Sequence, residues 1–220
     1  SRCKFSYCAY WLTNYCYRYM KNSIVLIFLA LLLSQCEGEF TPDPTDPRLP
    51  RYSEEGKDAA GCFINGNLWR AVRGVRIFGR ADEDLRVEFF PKDSIILLTL
   101  DGHQRELTDS LGIHTEISFT LDNRQLQSTS VESISPQTFV LDGKQNYARL
   151  TQESEGIIAN HGTGQLTIRH NQLDPENETE RHNYYTVAGT FSFTATSDSL
   201  GTIEVKNGRF DYSVRERKSE

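Results

Sequence analysis

Residues 113–122 read IHTEISFTLD. Ile113, Thr115, Ile117, Phe119 and Leu121 fall on one side of an extended chain, and His114, Glu116, Ser118, Thr120 and Asp122 fall on the other. A period of two with one apolar and one polar face is the pattern of a half-buried antiparallel strand. The same alternation returns in 184–195, where Tyr185, Val187, Gly189, Phe191, Phe193 and Ala195 oppose Tyr184, Thr186, Ala188, Thr190, Ser192 and Thr194. Leu166 and Ile168 alternate with Gln165, Thr167 and Arg169, while Ile95 to Leu100 (IILLTL) is almost continuously apolar and predicts a strand covered on both sides.

Working outward from these runs, Asn65-Gly66, Asp101-Gly102, Asp142-Gly143 and Asn207-Gly208 stand near predicted strand ends. Glycine there supplies the positive φ that tight hairpins need. No stretch sustains a helical period. The expectation is an all-β antiparallel sandwich of about eight to ten strands, with a closed, calycin-like β-barrel as the alternative. Gly189 interrupts a strand on the same face as Val187 and Phe191, which predicts a bulge or a close neighbour at that point.

The N-terminal forty residues are different. Met20 is the only methionine, Lys21 follows it, Ile24 to Leu33 is an unbroken apolar run of ten, and Leu33-Ser34-Gln35-Cys36 closes the run. Ten residues are too few to span a membrane, which takes about 20, but they suit the h-region of a secretory signal. The stretch resembles a bacterial lipoprotein signal, which implies cleavage before Cys36 and a lipid on its sulfur. Gln35 departs from the small residue usual before that cysteine, and cleavage after Cys36, with Ser34 and Cys36 as the small residues of an ordinary site, is the other reading. A basic n-region works at a chain's own N-terminus, so 1–19 is expected to be upstream sequence foreign to the native protein. The division is then 1–19 leader, 20–35 signal peptide, 36–58 tether, 59–215 β-domain and 216–220 charged tail.

The tether reading rests on Pro42, Pro44, Pro47 and Pro50, four of seven prolines in the chain. Such a segment favours extended polyproline II and predicts a semi-rigid spacer that buries little, with the domain starting near Ala59. Removal of 1–35 takes away four basic residues and no acid, leaving 20 Lys+Arg against 30 Asp+Glu, a formal charge of −10. That balance argues against a nucleic-acid partner, whose phosphates demand clustered cations. It also leaves Cys62 as the single cysteine after Cys36, flanked by Phe63 and Ile64, and one thiol makes neither a disulfide framework nor a metal cage. A buried small hydrophobe is the expectation for it.

The segments FINGNLWRA (63–71), GTGQLTIRHNQLD (162–174), VAGTFSFTAT (187–196) and VKNGRFDY (205–212) together resemble a family of uncharacterised Bacteroidetes-type lipoproteins with a β-domain. The resemblance implies an exported domain on a lipid anchor in the cell envelope, at the outer membrane, and brings no catalytic residues. Asp93-Ser94-Ile95, Asp109-Ser110-Leu111 and Asp198-Ser199-Leu200 look like the acceptor of general O-glycosylation in that bacterial group, so Ser94, Ser110 and Ser199 are candidate modification sites. A turn entering a strand accounts for the same triplets.

Catalytic chemistry is not evident. The five histidines show no His-x-His or His-x-x-x-His spacing, and His114 and His170 fall on polar strand faces. His161-Gly162-Thr163-Gly164 lacks the third glycine and the Lys-Ser/Thr of a phosphate loop and reads as a hairpin loop. The acidic stretch 174–180 lacks the alternation of a calcium loop and reads as solvated. No nucleophile elbow is present. The expectation is therefore no catalytic residue, no metal and no cofactor. Two aromatics are candidate binding residues: Trp69, which could stack on a sugar or close the core, and Tyr184, the member of the Tyr184-Tyr185 pair that faces away from the core. A non-enzymatic, membrane-anchored domain that binds a protein or glycan is the leading expectation; an apolar-ligand barrel and a carboxylate hydrolase are the alternatives.

Overall fold

The computed structural model describes residues 41–72, 85–105, 112–122, 124 and 130–218; Cys36 and Ser110 lie outside them. Among the described residues ten antiparallel strands follow in chain order: β1 (Ala59–Ile64), β2 (Asn67–Val72), β3 (Leu85–Phe90), β4 (Ile95–Arg105), β5 (Ile113–Asp122), β6 (Gln137–Asp142), β7 (Tyr147–Gln152), β8 (Gly156–Leu173), β9 (His182–Ser197) and β10 (Gly201–Arg217). The order across the sheet is β2-β1-β10-β9-β8-β7-β5-β4-β3, with β6 on β8 and a further β2–β4 pairing. This is the all-β architecture expected, at the upper end of the expected strand number.

Two strands belong to both walls of the fold. On the side of β4 away from β5, residues 95–100 pair with β3 and residues 103–105 pair with β2. On the side of β8 away from β9, residues 156–162 pair with β7 and residues 163–168 with β6. One wall is thus β6, the C-terminal part of β8, β9, β10, β1 and β2, joined by the end of β4; the other is β3, the rest of β4, β5, β7 and the N-terminal part of β8. Passing a strand between walls requires a local bend, and bulges and glycines supply it. Between the walls the apolar faces meet: Phe119 on β5 contacts Phe191 and Phe193 on β9 edge-to-face, at centroid distances of 5.2 and 5.9 Å. These rings, with Trp69, Leu150, Leu166 and Phe210, fill the interior.

The four predicted turns divide into two kinds. Asn65 and Gly66 (φ 50° and 82°) form the two-residue β1–β2 hairpin, and Gly143 (φ 74°) lies in the β6–β7 loop. Asp101-Gly102 and Asn207-Gly208 are instead inside β4 and β10, the latter at a bulge where Val205 and Gly208 fall out of register with β9. His161-Gly162 is likewise not a hairpin loop but an extra residue within β8, displaced against both β7 and β9. Gly189 meets its expectation: a Cβ there would lie 2.4 Å from the Thr167 carbonyl oxygen, and the facing strand bulges between Ile168 and His170.

The proline-rich segment is not a spacer over its described length. Residues 41–58 form a strap across the outer face of the larger wall. The strap's seat is a row of three cross-strand partners, Arg70, Gly61 and Arg209. Gly61 has no side chain, so Pro50 and Leu49 settle where a Cβ would come within 2.6 and 3.3 Å of them. The flanking arginines hold the segment from both sides: Arg70 Nε donates to the Arg48 carbonyl at 2.6 Å, and Arg209 pairs with Asp43 and donates to the Pro50 carbonyl at 3.4 Å. Leu49 becomes fully buried, worth about 2 kcal/mol. Further along, the buried Asp211 carboxylate accepts the backbone N–H groups of Glu55, Gly56 and Lys57 at 2.8 to 3.3 Å, and the Ser53 hydroxyl as well. Asp58 accepts the Ser213 N–H at 3.0 Å, Arg169 on β8 lies over the Tyr52 ring, and His170 sits 3.4 Å from Glu54. The domain therefore includes residues 41–58. At the other end β10 continues to Arg217, two residues into the expected charged tail, where Glu216 accepts the Val131 N–H at 2.8 Å.

Candidate functional site

The two bends between the walls are built from different chemistry. At the β4 bend, Gly102 leaves room for the Trp69 indole, whose Cζ2 would lie 2.7 Å from a Cβ at that position. The indole crosses β4 there, and its Nε1 donates to the carbonyl of Thr115, the cross-strand partner of Gly102, at 2.8 Å. Trp69 is fully buried. It offers no face to a sugar, and its candidacy as a binding residue is corrected: it is the core residue that seals this bend. Cys62 on β1, paired with Trp69, is also fully buried, and burial pushes its thiol pKa up, as a small hydrophobe requires.

At the β8 bend, His161 adopts a left-handed backbone (φ 55°), a conformation that costs a non-glycine residue roughly 1–2 kcal/mol. Its Nδ1 lies 3.0 Å from the Gly143 carbonyl oxygen. A carbonyl only accepts, so Nδ1 carries the proton, and in the neutral ring Nε2 keeps its lone pair. The imidazole also rests against Tyr147, with ring centroids 4.9 Å apart. Asn160 Oδ1 accepts the His161 N–H at 2.9 Å and Arg149 Nε at 3.3 Å. Beside this bulge opens a cleft of about 380 Å³ between the β7–β8 turn and the β9–β10 turn. Glu155, Asn160, His161, Thr196, Asp198 and Ser199 give it its polar groups. Ile157 lines it too, and Leu200 directly follows Ser199 in the chain; both are 55% exposed.

The anchor of the β6–β7 loop explains how His161 is held. Asp142 Oδ1 accepts the N–H groups of Lys144, Gln145 and Asn146 at 2.8 to 3.0 Å, and these bonds keep its carboxyl below the usual range. Gly143, fixed by that cradle, passes close to His161: a Cβ on it would meet the His161 carbonyl oxygen at 2.9 Å.

Of the residues singled out in the sequence, Ser199 is brought into this cleft. It is exposed on the β9–β10 turn, its Oγ 3.3 Å from that of Ser197. Ser94 is half-buried with φ 54° in the turn before β4, far along the chain from the cleft residues. Tyr184 is half-buried and Tyr185 buried, so the expected division of that pair holds, but Tyr184 does not line the cleft. Sequence spacing also hid a histidine pair. His103 and His114 are cross-strand partners with ring centroids 5.2 Å apart, and His114 Nε2 lies 2.5 Å from Asp101 Oδ1. Compared with protein-family models, curated proteins and solved structures, the chain has no match.

Proposed function

We propose that the chain is an exported lipoprotein of the Bacteroidetes type, fixed through Cys36 to the outer membrane of the cell envelope, whose β-domain binds the end of a glycan in the cleft at the β8 bend without transforming it. The observation that carries the reading is the composition of that cleft: amide and imidazole groups from the β8 bulge with hydroxyl and carboxylate groups from the flanking turns and the end of β9, beside a Tyr147–His161 ring pair. Hydroxyl-rich ligands need such mixed donors and acceptors, and the volume falls at the small end of the roughly 300–1,000 Å³ typical of small-molecule sites. The aromatic packing between the walls weighs against an apolar ligand inside the fold. A printed array of bacterial and host oligosaccharides, probed with the purified protein, tests the reading. Binding that falls at least about tenfold, roughly 1.4 kcal/mol, in both His161→Ala and Asp198→Ala but not in Tyr184→Ala supports it; an array with no bound glycan removes it.

One observation favours a hydrolase as the second reading: two carboxylates, Glu155 and Asp198, stand on separate turns that line one cleft. New reducing ends released from an array glycan, and lost in Asp198→Asn, would replace binding by hydrolysis. The anchor is tested separately, since Cys36→Ala should move the protein out of the membrane fraction and end its labelling with palmitate.

A further inference from the structure

We infer that the outer face of the wall carrying the strap lies against the phospholipid headgroup layer of the membrane that holds Cys36. The inference rests on the lipid anchor proposed above. Its own ground is the docked strap. Had residues 37–58 been a free spacer, the domain would stand well clear of the lipid, but the strap is bound to the domain from Asp43 onward.

Thr41 is already fixed, its carbonyl accepting the Arg51 N–H at 2.6 Å, and Pro42 bridges to Pro50. Five residue steps separate Cys36 from Thr41. Fully extended they reach at most about 18 Å. The headgroup region of one leaflet takes up roughly 6 Å of that reach, since a bilayer measures about 40–45 Å overall and about 30 Å across its hydrocarbon. The remainder is smaller than the radius of gyration of a domain of about 180 residues, near 16 Å. A domain tethered so closely at one point on its surface cannot swing clear, and the face around that point meets the lipid.

The groups on that face suit phospholipid. Arg51 is exposed, Arg48 has 63% of its side chain accessible while resting over the Phe63 ring at 4.6 Å, and Lys206, the cross-strand partner of Phe63, has 61% accessible. Asp46 and Glu204 pair with Arg48 and Lys206, and Arg51 adds an exposed cation beside Thr41, while the exposed Glu54 and Glu55 stand further along the strap. Long cationic side chains with apolar stems suit a headgroup layer, where the charge meets phosphate and the stem stays on the protein.

The lipidated protein, reconstituted in phosphatidylethanolamine–phosphatidylglycerol vesicles with a nitroxide quencher on the headgroup, decides the matter. A fluorophore is attached at Arg51→Cys, or at Glu88→Cys on β3 in the opposite wall; both positions are exposed. The expected result is several-fold stronger quenching at residue 51 than at residue 88. Equal quenching with the protein on the vesicles overturns the orientation and leaves the anchor standing. Protein that stays off the vesicles, as Cys36→Ala should, removes the anchor and this inference with it.

Discussion

Gly102 and His161 sit where β4 and β8 pass from one wall to the other, and the two bends solve the same geometric problem in opposite ways. At Gly102 the space left by a missing side chain is filled by an indole that satisfies its own N–H on the next strand. At His161 a residue with a side chain takes a left-handed backbone, is held by a separate loop, and leaves an open polar cleft beside it. A bend therefore does not require a cleft. The second one retains strain and exposed polarity that the first shows to be avoidable, and such outliers concentrate at sites of function.

The largest test of that contrast is Trp69→Ala, expected to destabilise the protein by about 4 kcal/mol in urea unfolding, because it empties the sealed bend and removes the indole's bond to the Thr115 carbonyl. A loss below about 1 kcal/mol would mean the indole is not the seal. The two bend glycines sharpen the comparison. A Cβ at Gly102 would lie 2.5 Å from the Arg70 carbonyl oxygen, whereas at Gly162 the nearest atom is a Phe193 ring carbon at 2.9 Å. Backbone moves less readily than a ring, so Gly102→Ala should cost about 3 kcal/mol and Gly162→Ala about 1 kcal/mol. Equal losses would make the two bends mechanically alike.

His161→Gly should change stability by less than about 1 kcal/mol, since relief of the left-handed backbone offsets the lost bond to Gly143. Glycan binding should nonetheless disappear. A large loss of stability would turn this residue into a structural one and weaken the site. The smallest effect concerns pH. The Asp142 carboxyl is held below its ordinary value by the backbone N–H groups of Lys144, Asn146 and Gln145, so its contribution is complete above the unfolded-state pKa, near 4, and is lost as pH falls through the lower folded value. Amide exchange at Lys144 to Asn146, corrected for intrinsic rates, should accelerate below about pH 4 while Gly102 stays protected.

The strands were legible because burial on one side writes a period of two into the chain, as in 113–122 and 184–195, and tertiary contacts only reinforce it. The bends were not legible. A glycine that turns a hairpin and a glycine that admits an indole look the same in sequence, so Asp101-Gly102 and His161-Gly162 read as turns. The strap was misread for a similar reason. Four prolines predict an extended backbone, but residues 42–50 instead turn back on themselves, with Pro42 bridged to Pro50 and the Asp43 N–H bonded to the Leu49 carbonyl, and the loop docks on a seat, Arg70, Gly61 and Arg209, that comes together only through strand register. Arg209 and Asp211 were nevertheless a hint, two opposite charges on the polar face of a strand in search of partners. Nothing in the sequence joined the two sides of the cleft, 155–161 and 196–199, because they lie far apart in the chain.

The strap also sets the path of mechanical load. A pull on the chain ahead of residue 41 enters the domain at the Thr41–Arg51 backbone bond, passes to the Asp43–Arg209 pair and the buried Leu49, and reaches Ala59, the start of β1, only after Asp211 has released Ser53 to Lys57. Force is thus borne first by a sacrificial fastening laid over the fold, whose rupture frees about 17 residues of slack before any strand is drawn from the sheet, some 55–60 Å at the extended-chain limit. Tugging at the N-terminus would lengthen the leash and leave the cleft folded.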